Sequence, residues 1–246
     1  AGGTQRQKPA TAEAITRRGG VRDTKRLLIG YDYSSANETS NPSDEENREC
    51  TYFVQAQHVF AVLQGGQFLS PCLAKHGIPT VNGGQFDDPK TIDSQLIYDG
   101  GGMLSPVLAK AYIDRLAAQK YFTGWNTVTG EAGPAPVRVG LIYQDLPLYR
   151  SYYADVKKNL KAHGITVDPS DEFIYSPTAD GVASQSQAAV LKFSGDGVTH
   201  VFGAGLLFFK DAENQKYYPR YGFDSIAPPA LLEGLAPAKQ LHRPLG

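Results

Sequence analysis

Short, unbroken apolar runs alternate along this chain with longer stretches of helical periodicity, and glycines stand at most of the junctions. In the first half, residues 11–20 read as a helix stopped by Gly19-Gly20, and Arg26 to Tyr31 reads as a strand. Ser43-Asp44-Glu45-Glu46 has the form of a helix start, a capping residue followed by acids in the first turn, and that helix extends to about Gln57. His58 to Leu63 is apolar without alternation, which suits a strand buried on both faces of a parallel sheet. A helix at about 67–76, a strand at Ile78 to Val81, a short strand at about 95–98 and a long helix from Ser105 to about Gln119 follow.

Residues 123–136 are rich in Gly, Thr and Pro and read as a surface connection. Beyond them the rhythm restarts. Strands are expected at Val137 to Tyr143, Ile165 to Val167, Glu172 to Tyr175, Thr199 to Phe202 and Arg220 to Phe223. Helices are expected at Tyr149 to His163, Ala179 to Phe193 and about 207–215. Strands alternating with helices imply βαβ units and mainly parallel sheets, and two such series imply two α/β, Rossmann-like lobes. On this reading residues 1–130 form the first lobe, 131–136 the hinge or linker, and 137–225 the second lobe.

Ligands of open α/β sheets bind beyond the carboxyl ends of the strands. That rule selects the turns Gln64-Gly65-Gly66-Gln67, Asn82-Gly83-Gly84-Gln85, Gln144-Asp145 to Tyr149, Gly203-Ala204-Gly205 and Gly222 to Ser225 as candidates. Glycine there lets backbone N–H groups approach a ligand, and a helix N-terminus just beyond favours an anion. Glycine also simply makes a tight strand-to-helix turn, and both readings stand for each turn. Tyr149 is a candidate for stacking on a ligand, whereas Tyr152 and Tyr153 read as packing or surface residues.

Composition narrows the function classes. Lys and Arg (24) nearly balance Asp and Glu (25), so no basic excess points to a nucleic-acid partner. No apolar run approaches the roughly 20 residues that span a bilayer. No dinucleotide, P-loop, nucleophile-elbow or zincin motif is present, which implies no cofactor. The five histidines have no partner at catalytic spacing, and no Cys/His cluster has zinc-ligand spacing. The chain is therefore read as a non-enzyme. Cys50 and Cys72 suit either a disulfide in an oxidising compartment or two separate buried thiols.

The order of segments resembles the type I periplasmic binding proteins, specifically the branched-chain amino-acid-binding-like receptors of ABC importers. The resemblance is carried by Gly19-Gly20-Val21 with Arg26 to Asp32, by His58 to Leu63, by Gly77-Ile78-Pro79-Thr80-Val81, by Val137 to Tyr149, by Gly197 to Val201, and by Tyr218-Pro219-Arg220-Tyr221-Gly222, which is like a run in actinobacterial members. It implies an extracytoplasmic receptor that traps an amino acid, amide or related organic acid between two lobes and docks on a membrane permease. It further implies that the family's first strand precedes residue 1, and that 226–246 begins a return crossover completing the first lobe. A Cys50–Cys72 disulfide, Tyr149 on the second-lobe wall and Asp224 near the ligand ammonium are implied as well. The family's hydroxyl-rich turns are here Gln64 to Gln67 and Gly83 to Phe86, without those hydroxyls, which opens the ligand to larger or less polar molecules. A ligand-sensing domain of a signalling system and an enzyme on a two-lobed fold are the competing readings.

Overall fold

The computed structural model describes residue 17 and residues 42–63, 68–82, 92, 94, 96–99, 104–223 and 234–241. The expected helix at 11–20, apart from Arg17, and the strand at 26–31 lie outside the described residues. Helix α1, Pro42–Thr51, carries Asp44 and Glu45 in its first turn and runs on through a π-helical turn, Tyr52–Ala56. Strands β1 (Val62–Leu63), β2 (Thr80–Asn82) and β3 (Ile97–Asp99) pair in parallel in that order, and helix α2, Leu69–Lys75, crosses between β1 and β2.

The first sheet departs from the expected strand buried on both faces. In register, Val62, Thr80 and Ile97 form one row and all three are buried, in keeping with the alternation of side chains along a strand. The adjacent row, Leu63, Val81 and Tyr98, is exposed, Leu63 at 71% and Tyr98 at 63%. Among the described residues α1 and α2 cover only one face. Cys50 and Cys72 join these two helices in a disulfide, beside a small core of Phe53, Val62, Leu69, Leu73 and Ile78. Glu46 reinforces the junction by accepting hydrogen bonds from the Phe68 and Leu69 N–H groups, both at 2.7 Å, at the start of α2.

Helix α3, Ser105–Ala118, leads to a hairpin of β4 (Trp125–Asn126) and β5 (Glu131–Ala132) and then to β6, Val139–Gln144. Helix α4 spans Pro147–Ala162, β7 Glu172–Tyr175, α5 Ala179–Asp196, β8 His200–Phe202, α6 Leu206–Asn214 and β9 Arg220–Gly222. The second sheet is all parallel, in the order β7-β6-β8-β9. Helix α5 is bounded by Thr178, whose hydroxyl accepts from the Gly181 N–H, and by Gly197 at φ 75°. Residues 165–167, expected as a strand, pair with no strand among the described residues.

Two cores flank this sheet. Val139, Leu141 and Tyr143 of β6 point to one that includes Leu108, Ile113 and Leu116 of α3 and Val156 and Leu160 of α4. Ile142 points to the other, built from α5 and α6 with Val190, Phe193, Phe208 and Phe209. Cover on both faces is why β6 is buried along nearly its whole length.

Helix α3 was expected in the first lobe, but it packs against α4 in the core of the second sheet. The 123–136 stretch was expected to be a hinge or surface connection. It folds instead as a hairpin held against the second sheet. Trp125 is buried and its indole N–H donates to the Tyr218 carbonyl at 2.8 Å, while the Tyr218 N–H donates to the Thr127 carbonyl at 2.7 Å. Arg220 lies over the rings of Tyr121 and Trp125. By packing, the second unit therefore starts with α3 and not at residue 137. The C-terminal stretch 234–241 is tied to the same unit through buried Gln240, which accepts from the Tyr221 hydroxyl at 2.6 Å and donates to Glu213 and the Tyr217 carbonyl.

Candidate functional site

A cleft of about 160 Å³ opens at the carboxyl edge of the second sheet, where βαβ crossovers direct the strand ends of a parallel sheet. Ile142, Tyr143 and Gln144 come from the end of β6, Tyr175 from β7, Phe202 to Gly205 from β8 and the turn after it, and Gly222 and Phe223 from β9. Tyr149, Tyr152 and Tyr153 reach it from α4, and Tyr112 from α3. Helices α4 and α6 both begin at this edge, and neither N-cap, Leu146 or Gly205, supplies a side-chain cap.

The aromatic rings are ordered against one another. Tyr143 and Tyr153 stack with centroids 4.5 Å apart and planes 12° from parallel. Tyr152 meets Tyr153 edge-on at 5.2 Å, and Tyr112 meets Phe202 edge-on at 5.7 Å. These are the two favoured geometries of aromatic pairs. The Tyr143 hydroxyl donates to Glu172 at 2.7 Å, and Glu172 also accepts from Lys157 at 2.8 and 2.7 Å. Burial, and then the bond to Glu172, raise the Tyr143 phenol above its ordinary pKa; burial does the same for Tyr175. Both phenols are neutral across the physiological range.

Two glycines let the floor come this close. Gly203 has φ 83°, and a Cβ there would stand less than 3.0 Å from the Ile142 carbonyl oxygen and from the Tyr153 hydroxyl. A Cβ on Gly222 would stand less than 3.0 Å from the Tyr112 hydroxyl and the Phe202 ring. Gly205 is different: its φ is −106° and a Cβ there would meet open space.

Of the residues and turns selected from sequence, Gln144, Tyr149, Gly203, Ala204, Gly205, Gly222 and Phe223 line the cleft. Asp145 does not. It bonds the Arg150 guanidinium at 2.6 Å on the exposed rim, and that bond lowers its carboxyl pKa. Gln64, Gly65, Gly66, Gln67, Gly83, Gly84, Gln85 and Asp224 lie outside the described residues. Sequence reasoning missed Gly203 as the constrained glycine of its turn, and Tyr143 and Tyr175 as cleft residues. Their signal was available, because both tyrosines end their strands at the edge where ligands bind. Tyr152 and Tyr153 are packed, as read, but they also line the cleft. Tyr112 was out of reach while α3 was assigned to the first lobe.

Neither a family model nor a curated protein matches this sequence. Solved structures do match in fold. A fatty acid ABC transporter substrate-binding protein from Thermomonospora curvata superposes with a TM-score of 0.64 at 18% identity, over 97% of this chain and 56% of its own. A solute-binding protein of an ABC transporter from R. palustris, in complex with 4-hydroxybenzoate, gives 0.58 at 11% identity, over 88% of this chain and 56% of its own. A branched chain amino acid ABC transporter protein from Thermus thermophilus with bound valine gives 0.54 at 16% identity, over 86% and 52%. The chain thus spans about half the length of these proteins. Its fold is that of the type I periplasmic binding proteins.

Proposed function

We propose that this chain belongs to an extracytoplasmic solute receptor of an ABC importer, which traps a small organic molecule between two α/β lobes and presents it to a membrane permease. The observation that carries this reading is the cleft at the strand ends of the second sheet, where an α/β fold binds its ligands. The fold supports the receptor role, since structures that share it are described as binding valine and 4-hydroxybenzoate. The Cys50–Cys72 disulfide supports an oxidising compartment outside the cytoplasm. Among the described residues no helix is long and apolar enough to cross a membrane, so docking on a separate permease fits. Tyr149 and Gly205 act here as ligand contacts on the second-lobe wall. Lobe closure on the ligand is a hinge transition.

Calorimetric titration of the purified protein with branched-chain amino acids, aromatic acids and fatty acids tests the reading. Saturable binding of a member of the panel is expected. Absence of binding across the whole panel refutes the receptor role.

A further inference from the structure

The geometry points to an aryl ring as the part of the ligand that the second-sheet cleft recognises; this rests on the solute-trapping reading and names the kind of solute. Among the described residues, none of the side chains lining the cleft carries a charge. Its walls are instead the rings of Tyr112, Tyr143, Tyr149, Tyr175, Phe202 and Phe223. On the rim, Asp145 is already committed to Arg150, and Glu172 to the Tyr143 hydroxyl and Lys157. A ligand carboxylate can meet the uncapped starts of α4 and α6, but the ammonium of an aliphatic amino acid would find no carboxylate among the described side chains of this wall, and a buried charge without a partner is strongly unfavourable. A flat ring brings no such cost and meets side chains already set in stacked and edge-on orientations.

Size agrees. The cleft measures about 160 Å³, and an apolar cavity of about 150 Å³ is enough to hold benzene. Gly203 and Gly222 keep the floor flat, because a side chain at either would collide with the rings and backbone that form it. The described wall of the cleft thus has room for one six-membered ring.

The test is calorimetry of the purified protein with benzoate, benzyl alcohol, cyclohexanecarboxylate and leucine, alongside the wider panel above. Benzoate and benzyl alcohol, a charged and a neutral aryl probe, are expected to bind at least tenfold more tightly than cyclohexanecarboxylate and leucine. Tyr149→Leu is expected to weaken the aryl probes about tenfold, and Tyr149→Phe to retain them, which separates loss of the ring from loss of the hydroxyl. Far-UV circular dichroism confirms that each variant folds. If leucine, cyclohexanecarboxylate or another non-aryl solute binds as tightly as the aryl probes, the ring assignment falls and the receptor reading stands. If no solute of any class binds, both fall.

Discussion

Gly203 and Gly205 sit two residues apart at the mouth of the cleft, and the structure assigns them opposite tolerances. Substitution by alanine at Gly203 must overcome two obstacles. The left-handed φ of 83° costs a residue with a Cβ about 1 kcal/mol. The new methyl would also stand less than 3.0 Å from the Ile142 carbonyl and the Tyr153 hydroxyl. Ile142 lies in a central strand covered on both faces, so its carbonyl has no room to withdraw. Tyr153 can shift only by leaving its stack on Tyr143. Overpacking of this kind typically costs about 1–3 kcal/mol. The expected loss is thus about 3 kcal/mol for Gly203→Ala. Gly205→Ala should cost no more than about 1 kcal/mol, the ordinary penalty of Ala in place of Gly at a helix N-cap, since its φ is ordinary and the space is open.

Urea unfolding followed by far-UV circular dichroism measures both variants, and near-UV circular dichroism reports whether the tyrosine stack has moved. The reasoning is refuted if Gly203→Ala loses less than about 1 kcal/mol, or if Gly205→Ala is equally damaging. The second result would mean that the Gly-Ala-Gly turn is constrained as a unit and not at its first glycine.

Other consequences can be measured on the same protein. The Cys50–Cys72 bond closes a separation of 22 residues, so replacing both cysteines with serine should cost about 3 kcal/mol in the unfolding of the first unit, read by denaturant titration. Arg138 makes two hydrogen bonds, at 2.6 and 2.9 Å, to the fully buried Asp171 carboxylate; Arg138→Leu strands that charge and should cost about 3 kcal/mol, whereas a loss below 1 kcal/mol would show that the carboxylate finds other partners. Burial lowers the His200 pKa to about 4. The unfolded chain then binds the extra proton between about pH 6.5 and pH 4, so stability is full above 6.5 and falls as the pH drops through that window, by up to about 3 kcal/mol. His200→Gln should flatten that part of the stability–pH curve. Burial, with Glu46 and Glu45 nearby, raises the Glu49 carboxyl to about 7. Here the folded state holds the extra proton, so stability falls as pH rises from about 4.5 to 7, and Glu49→Gln should stabilise the protein at pH 8 more than at pH 5.

The βαβ rhythm was legible because strand and helix periods differ and glycines punctuate them; α3, α4, α5 and α6 lie close to where the apolar pattern put them. What the pattern could not carry was assignment to a lobe. Helix α3 has an apolar face whichever sheet it covers, and the Gly, Thr and Pro content of 123–136 describes a hairpin turn as well as a linker. The deciding contacts, the Trp125 indole on the Tyr218 carbonyl and Arg220 over two rings, join residues more than ninety positions apart and have no local signature. The same limit shaped the reading of the site. The rule that ligands bind at strand ends led to Tyr149 and Gly205 on the cleft wall. It also selected Asp145, because position along the chain does not reveal that Arg150 turns back to pair with it. The tyrosines of the cleft were visible one by one as residues at element ends. Their convergence depends on α3 belonging to the second unit, since only that packing brings Tyr112 opposite Tyr149 and Phe202. Placing one helix on the other sheet thus changes the candidate site from a set of glycine turns into a cleft walled by rings.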